Sequence, residues 1–243
     1  MKKRHFLYLA LFIYFGFLAA NLKAEVVYQV DAASRYIWRG FDLNPNKKPV
    51  IQPSIDIAFG QSGFSLNLWS SISFVRKDLN EFDLTLSYAA DLSKDLSLAA
   101  GLIHYAWYFA ENFKFEDDTS HEVFLSIGSP TLFLNPSLSI FYDFSAGDGI
   151  YLLLEIGHSF PLFENLGADL SASLGYNGGQ WLDKGTDPGF SDLNFGLTLP
   201  FQNGPFQISV FANYTIVLLD AIGEEDHFWF GISLSYSGTG KIE

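Results

Sequence analysis

From Val26 to Tyr236 the chain alternates apolar residues with small or polar ones in segments of about ten residues, separated by turn-forming clusters. Phe64, Leu66 and Leu68 alternate with Ser65 and Asn67, and Phe206, Ile208, Val210, Ala212 and Tyr214 with Gln207, Ser209, Asn213 and Thr215. Successive side chains of a strand point to opposite faces, so a two-residue period predicts strands with one apolar face. About twelve strands follow, at roughly 26–39, 50–60, 63–74, 81–91, 95–109, 119–128, 136–145, 149–160, 166–177, 190–199, 205–216 and 227–236.

The connections fall into two classes in strict order. Odd-numbered ones tend to be longer and acidic or Gly-rich, at 40–49, 75–80, 110–118, 146–148, 178–189 and 217–226. Even-numbered ones are tighter, at 61–62, 92–94, 129–135, 161–165 and 200–204. Long outer loops alternating with short periplasmic turns are the mark of an outer-membrane barrel, and a sandwich has no reason to produce them. The expected fold is therefore all-β: a closed antiparallel transmembrane β-barrel of about 12 strands.

One parity is almost wholly apolar: Ile51, Ile55 and Ile57; Phe82, Leu84 and Leu86; Phe228, Phe230, Ile232 and Leu234. The opposite parity carries Gln52, Asp56, Asn67, Asp83, Asp143, Glu155, Asp169 and Asn194. A charge on the lipid face costs a few kcal/mol at the bilayer midplane, so the polar set is assigned to the lumen. Aromatics gather at strand ends of the apolar face, at Tyr36, Trp38, Phe64, Phe74, Tyr88, Tyr108, Phe144, Phe160, Tyr176, Phe190, Tyr214 and Tyr236, as two interfacial girdles.

The N-terminus reads as a secretory leader. Lys2, Lys3 and Arg4 precede an apolar run from Phe6 to Ala20, and Leu22-Lys23-Ala24 ends in a small residue suited to signal peptidase. Residues 1–24 are expected to be the signal peptide and 25–243 a single barrel domain in the outer membrane of a Gram-negative cell. Removing the leader takes away 4 of the 14 basic residues and leaves 27 acids, a net charge of about −17. Nucleic acid is disfavoured as a partner at that charge. The chain has no Cys, which excludes disulfides and thiolate metal sites.

About twelve strands lie between a barrel filled by its own side chains and an open channel, so a narrow or gated pore is expected. With the first strand rising from the periplasm, Arg35, Arg39, Glu81, Asp83, Glu122, Asp143 and Asp192 line its upper part. Asp56 and Glu155 fall nearer the middle, and Asp169 and Asp91 lower. Acids outnumber arginines, which predicts a modest cation preference. Arg35 and Arg39, four apart on the first strand and hence on one face, are expected to stand against Glu81, Asp83 and Asp143, or to be neutralised by acids such as Asp56.

The segment Ser34-Arg35-Tyr36-Ile37-Trp38-Arg39-Gly40, followed by Val50-Ile51-Gln52-Pro53-Ser54 and by Gly63-Phe64 leading to Leu68-Trp69-Ser70, resembles a TorF-like proteobacterial porin family. The resemblance covers roughly the first third of the chain and implies an outer-membrane barrel with porin activity. Barrels typically finish on an aromatic residue that the assembly machinery recognises. Here Ser237 to Glu243 follow Tyr236, so the Phe228 to Tyr236 alternation is the candidate internal signal.

No catalytic residues are expected. Ser120, His121 and Glu122 are adjacent, but neighbours on a strand face opposite ways and form no triad. His158 has lipid-facing parity, and Trp181 has two open readings, folding inward or touching lipopolysaccharide. Outer-loop acids Glu111, Glu116, Asp117, Asp118, Glu224, Glu225 and Asp226 read as solvated, and the run from Asp183 to Asp187 is too sparse for an EF-hand. No metal and no cofactor are therefore expected. The expected function is passive diffusion of small hydrophilic solutes, with the bilayer, lipopolysaccharide and the barrel-assembly machinery as partners. The alternative is a plugged structural or adhesive barrel acting through its acidic outer loops.

Overall fold

A computed structural model describes residues 24–44, 48–74, 78–107, 119–223 and 225–239. The leader up to Lys23, the girdle residue Tyr108, the loop acids Glu111, Glu116, Asp117 and Asp118, and Glu224 lie outside the described residues. Among the described residues every regular element is a strand, and no helix is long and apolar enough to cross a membrane.

The strands are β1 (Glu25–Ala33), β2 (Ile37–Trp38), β3 (Phe41–Asp42), β4 (Val50–Ala58), β5 (Phe64–Ser73), β6 (Asp78–Ser93) and β7 (Leu96–Trp107). They continue as β8 (Thr119–Gly128), β9 (Ser137–Asp143), β10 (Gly149–Phe163), β11 (Leu166–Gly178), β12 (Gly189–Asn203), β13 (Phe206–Val217) and β14 (His227–Thr239). β1 and β4 to β14 close into one antiparallel barrel, each strand paired with its sequence neighbour and β1 paired with both β4 and β14. Closure leaves no free sheet edge in the wall, the condition for spanning lipid with strands. Two-residue turns at Lys94-Asp95, Glu164-Asn165 and Gly204-Pro205 close the end nearer the termini, called the lower end below.

The exposure pattern follows the sequence parity. Along β14, Phe228, Phe230, Ile232 and Leu234 each leave half or more of their surface exposed on the outside. Val26, Ile55, Ile57, Leu68 and Phe82 share that outer parity and pack together with Ala24. Inside, small and polar side chains face one another across strands, as in the Ser65–Ser87 and Ser126–Ser139 hydroxyl pairs, each 2.7 Å apart.

One expectation fails. The first strand was expected to run to residue 39, but β1 ends at Ala33, and residues 34–44 turn into the barrel, carrying the short hairpin β2–β3. The hairpin turns at Arg39 and Gly40, both at positive φ (49° and 86°), a region open to glycine and costly for arginine. Its apolar side chains explain the inward course: Tyr36, Phe41 and Leu43 are buried with Ala33 and Val50, and Trp38, Trp69, Trp181, Phe211 and Ile222 pack around them. Tyr36 and Trp38, expected in the lipid girdle, lie inside instead, Tyr36 against Trp69 (5.3 Å between centroids) and Trp38 against Tyr105 (5.9 Å).

Candidate functional site

The centre of the upper lumen is the Arg39 guanidinium. Its Nη1 and Nη2 donate to the two oxygens of Glu122 at 2.7 and 2.9 Å, and Nη1 also donates to Gln180 Oε1. The Gln180 amide in turn donates to Glu122, and the Tyr105 hydroxyl donates to Glu122 Oε1 at 3.0 Å. Aromatic rings enclose the cation, with the Phe141, Tyr151 and Trp38 centroids 4.3, 4.5 and 4.6 Å from its central carbon. A fork-to-fork pair enclosed in this way satisfies both charges by geometry, the arrangement arginine provides and lysine does not. Glu122 is fully buried, a state a carboxylate tolerates only with such partners.

Arg35 stands apart from Arg39. It donates to His227 Nδ1 at 3.1 Å and lies 4.0 Å from Asp42. Arginine only donates, so His227 accepts at Nδ1 and carries its proton on Nε2, which donates to the Gly40 carbonyl at 3.2 Å. The expected pairing of both arginines on one strand face with Glu81, Asp83, Asp143 or Asp56 is corrected accordingly: Arg35 precedes β2 and Arg39 stands in the hairpin turn, and their partners are Glu122, Gln180, His227 and Asp42.

The remaining candidates form separate groups. Asp143, buried, accepts from the Ser120 hydroxyl at 2.6 and 2.8 Å. Asp192, also buried, accepts from Tyr151 (3.0 and 3.2 Å), Ser191 (2.8 Å) and Asn194 (3.1 Å). Glu81 and Asp83 sit together on the inner face of β6. Asp56 lies lower than expected, two residues from the end of β4, where it is exposed and accepts from Asn67 at 2.7 Å. Glu155 lines a cavity of about 190 Å³ beneath the hairpin with Arg39, Ser173, Asn194, Asn213 and Trp229.

Several contributors escaped the sequence. Gln180 sits in a stretch expected to be an outer loop, and Trp181 beside it folds inward, edge-on to Trp107 at 4.9 Å. Tyr105 and Tyr151 read as strand aromatics with no sign of their carboxylate partners. Phe41 and Leu43, apolar residues in an expected loop, were the available signal of an inward segment.

His104, His121 and His158 have other partners than a serine hydroxyl or a carboxylate. His104 Nδ1 and His121 Nε2 face each other at 3.2 Å on the outer wall, and His158 lies by the Phe133 carbonyl at 2.7 Å.

The closed twelve-stranded antiparallel barrel is a fold shared with solved outer-membrane porins. Similar solved structures include the NanC porin (12% identity, TM-score 0.56, covering 86% of this chain and 98% of that one). The KdgM porin (12%, 0.58, 88% and 99%) and LpxR from Salmonella typhimurium (8%, 0.54, 87% and 99%) share the fold as well. The chain belongs to the family described as "Bacterial protein of unknown function (Gcw_chp)", whose model matches residues 19–219. No curated protein matches its sequence.

Proposed function

We propose that the chain is an outer-membrane channel of the porin type that passes small hydrophilic solutes and is gated by its own β2–β3 hairpin. One observation carries the proposal: small and polar side chains line much of the inner wall, yet among the described residues the upper part is filled by the β2–β3 hairpin, anchored through Arg39 to Glu122 and Gln180. The hairpin interrupts a water-compatible lumen, and displacing it joins the cavity below to the upper mouth. Diffusion down a gradient then needs no moving part beyond that segment.

The resemblance of residues 34–40 to the TorF-like family supports the same activity, and Arg39 lies within that motif. A leader removed after Ala24, insertion by the barrel-assembly machinery, and contact with bilayer and lipopolysaccharide belong to the proposal. So does modest cation preference, with Asp56, Glu81, Asp83, Asp143, Glu155 and Asp192 lining the path. Arg39 is neutralised by Glu122, so these acids set the sign of the interior.

A second reading, a sealed barrel with a structural or adhesive role, is favoured by the burial of Tyr36, Phe41, Leu43, Trp107 and Tyr151 in the upper lumen. Planar-bilayer recordings of the refolded mature protein under a salt gradient separate the two. Discrete steps with a cation-biased reversal potential support the channel, and a silent protein that has demonstrably inserted supports the sealed barrel.

A further inference from the structure

Beside the Arg39 latch, the inner wall of β5 and β6 holds buried polar atoms without partners, among them one oxygen of Glu81, a side chain that also accepts from Tyr36. The register between these strands shifts after Ser71, so Asn80 becomes the extra residue of a bulge, and Asn80 and Glu81 together oppose Ser71. Asp83 lies two positions along β6 on the same inner face, opposite Trp69, while Ser73, opposite Asp78, lies on the other side of the Ser71–Glu81 pair. Ser71, Ser73 and Asn80 are fully buried and Glu81 is 1% exposed. The hydroxyl oxygens of Ser71 and Ser73, both amide atoms of Asn80, Glu81 Oε2 and Asp83 Oδ1 have no hydrogen-bond partner.

Native proteins pair nearly all such atoms, and a buried, unsatisfied group points to a bound water or ion. Two carboxylates in one dry corner also repel each other unless a cation or a proton intervenes. Among the described residues no lysine or arginine forms an ion pair with either, and Arg39 is committed to Glu122. Every acceptor around the Ser71–Glu81 pair is a hard oxygen: two carboxylates, one amide carbonyl and one hydroxyl. Imidazole and thiolate are absent from the set, which disfavours transition metals. Calcium takes about six to eight oxygens in an adaptable geometry, and this set offers up to six.

We propose that Ser71, Asn80, Glu81 and Asp83 form a site for a hard divalent cation of the calcium class, built into the barrel wall at the β5–β6 bulge. The ion joins the two carboxylates, and the bulge is what brings Asn80 to it. The site stands independently of conduction.

The test uses Tb³⁺, which occupies calcium sites, added to the refolded full chain in detergent and excited through tryptophan. Trp69 and Trp107, cross-strand neighbours of Asp83 and Glu81, serve as antennae. The expected result is sensitised emission that Ca²⁺ competes away. It falls about tenfold or more in Glu81→Gln/Asp83→Asn, whose charge count no longer suits the ion, and is unchanged in Asp95→Asn on a lower turn. Asn80→Asp adds a third carboxylate and raises Ca²⁺ affinity. Gel mobility of the unheated protein verifies barrel closure, and Asp83→Asn alone substitutes if the double variant fails to close. Undiminished emission in the closed variant assigns Tb³⁺ to other acids and overturns the site. Absence of Ca²⁺-competed emission in the wild type means that the carboxylates share a proton, and overturns it equally.

Discussion

Arg39 and Glu122 lie 83 residues apart in sequence and meet as a two-pronged ion pair in the upper lumen. Other contacts hold the hairpin as well, from Arg35 to His227 at 3.1 Å and from His227 to the Gly40 carbonyl at 3.2 Å. The Arg39–Glu122 pair is the two-pronged charged contact among them.

Arg39→Ala leaves Glu122 buried without its cation, which costs the stoppered arrangement on the order of 3–5 kcal/mol. The expected result is larger or more frequent conductance steps than in the wild type. Glu122→Gln, which retains an acceptor for Arg39, gives a smaller change in the same direction. Single-channel recording measures both, and identical step sizes and open times in all three proteins would remove the latch from gating.

Replacing both Arg35 and Arg39 by Ala removes two fixed positive charges from a predominantly acidic interior. The cation-to-anion permeability ratio should roughly double, read from the reversal potential in a KCl gradient. An unmoved reversal potential would take both residues off the conduction path.

Gly149 begins β10 where a Cβ would run into the backbone nitrogen of Gln180 and the carbonyl carbon of Gly179. Backbone cannot step aside as a flexible side chain does, so Gly149→Ala displaces Gln180 from Arg39 and Glu122. A loss of roughly 1–3 kcal/mol in urea unfolding is expected, as for overpacking elsewhere. A stability equal to the wild type's would show that Gln180 is not held there.

The parity assignment has its own check. Ile232 faces outward and its neighbour Ser233 faces inward opposite Asp31 and Ser209. Ile232→Lys should cost about 2–4 kcal/mol in vesicles, while Ser233→Lys is tolerated. Equal costs would contradict the division between lipid and lumen.

Strand periodicity and the ordering of long and short connections were enough to read the barrel, because a wall with lipid on one side and water on the other imposes a two-residue period on every strand. The same rule misled at residues 34–39. Arg35, Ile37 and Arg39 alternate with Tyr36 and Trp38 as a strand would, so the run looked like more of β1. Local alternation cannot tell a wall from a hairpin packed inside one. The deciding facts are tertiary: Val50, Trp69 and Phe211 offer an apolar seat, and Glu122 offers a charge. The acidic lumen residues were legible singly from their parity, while the Glu122–Gln180–Tyr105 set was not, since it is drawn from three distant segments. Asn80 joined Glu81 through a bulge, which shifts the very register on which parity depends.

The seam between β1 and β14 bears on how the molecule is made. It pairs Glu25 with Thr239 and Ala33 with Gly231, so the ring has no closed form until its last strand has been synthesised. Every shorter chain presents two bare edges, which attract other strands and are forbidden in hydrocarbon. The nascent protein must therefore be kept from pairing with its neighbours until the final strand arrives, and commitment to the bilayer becomes a single late event.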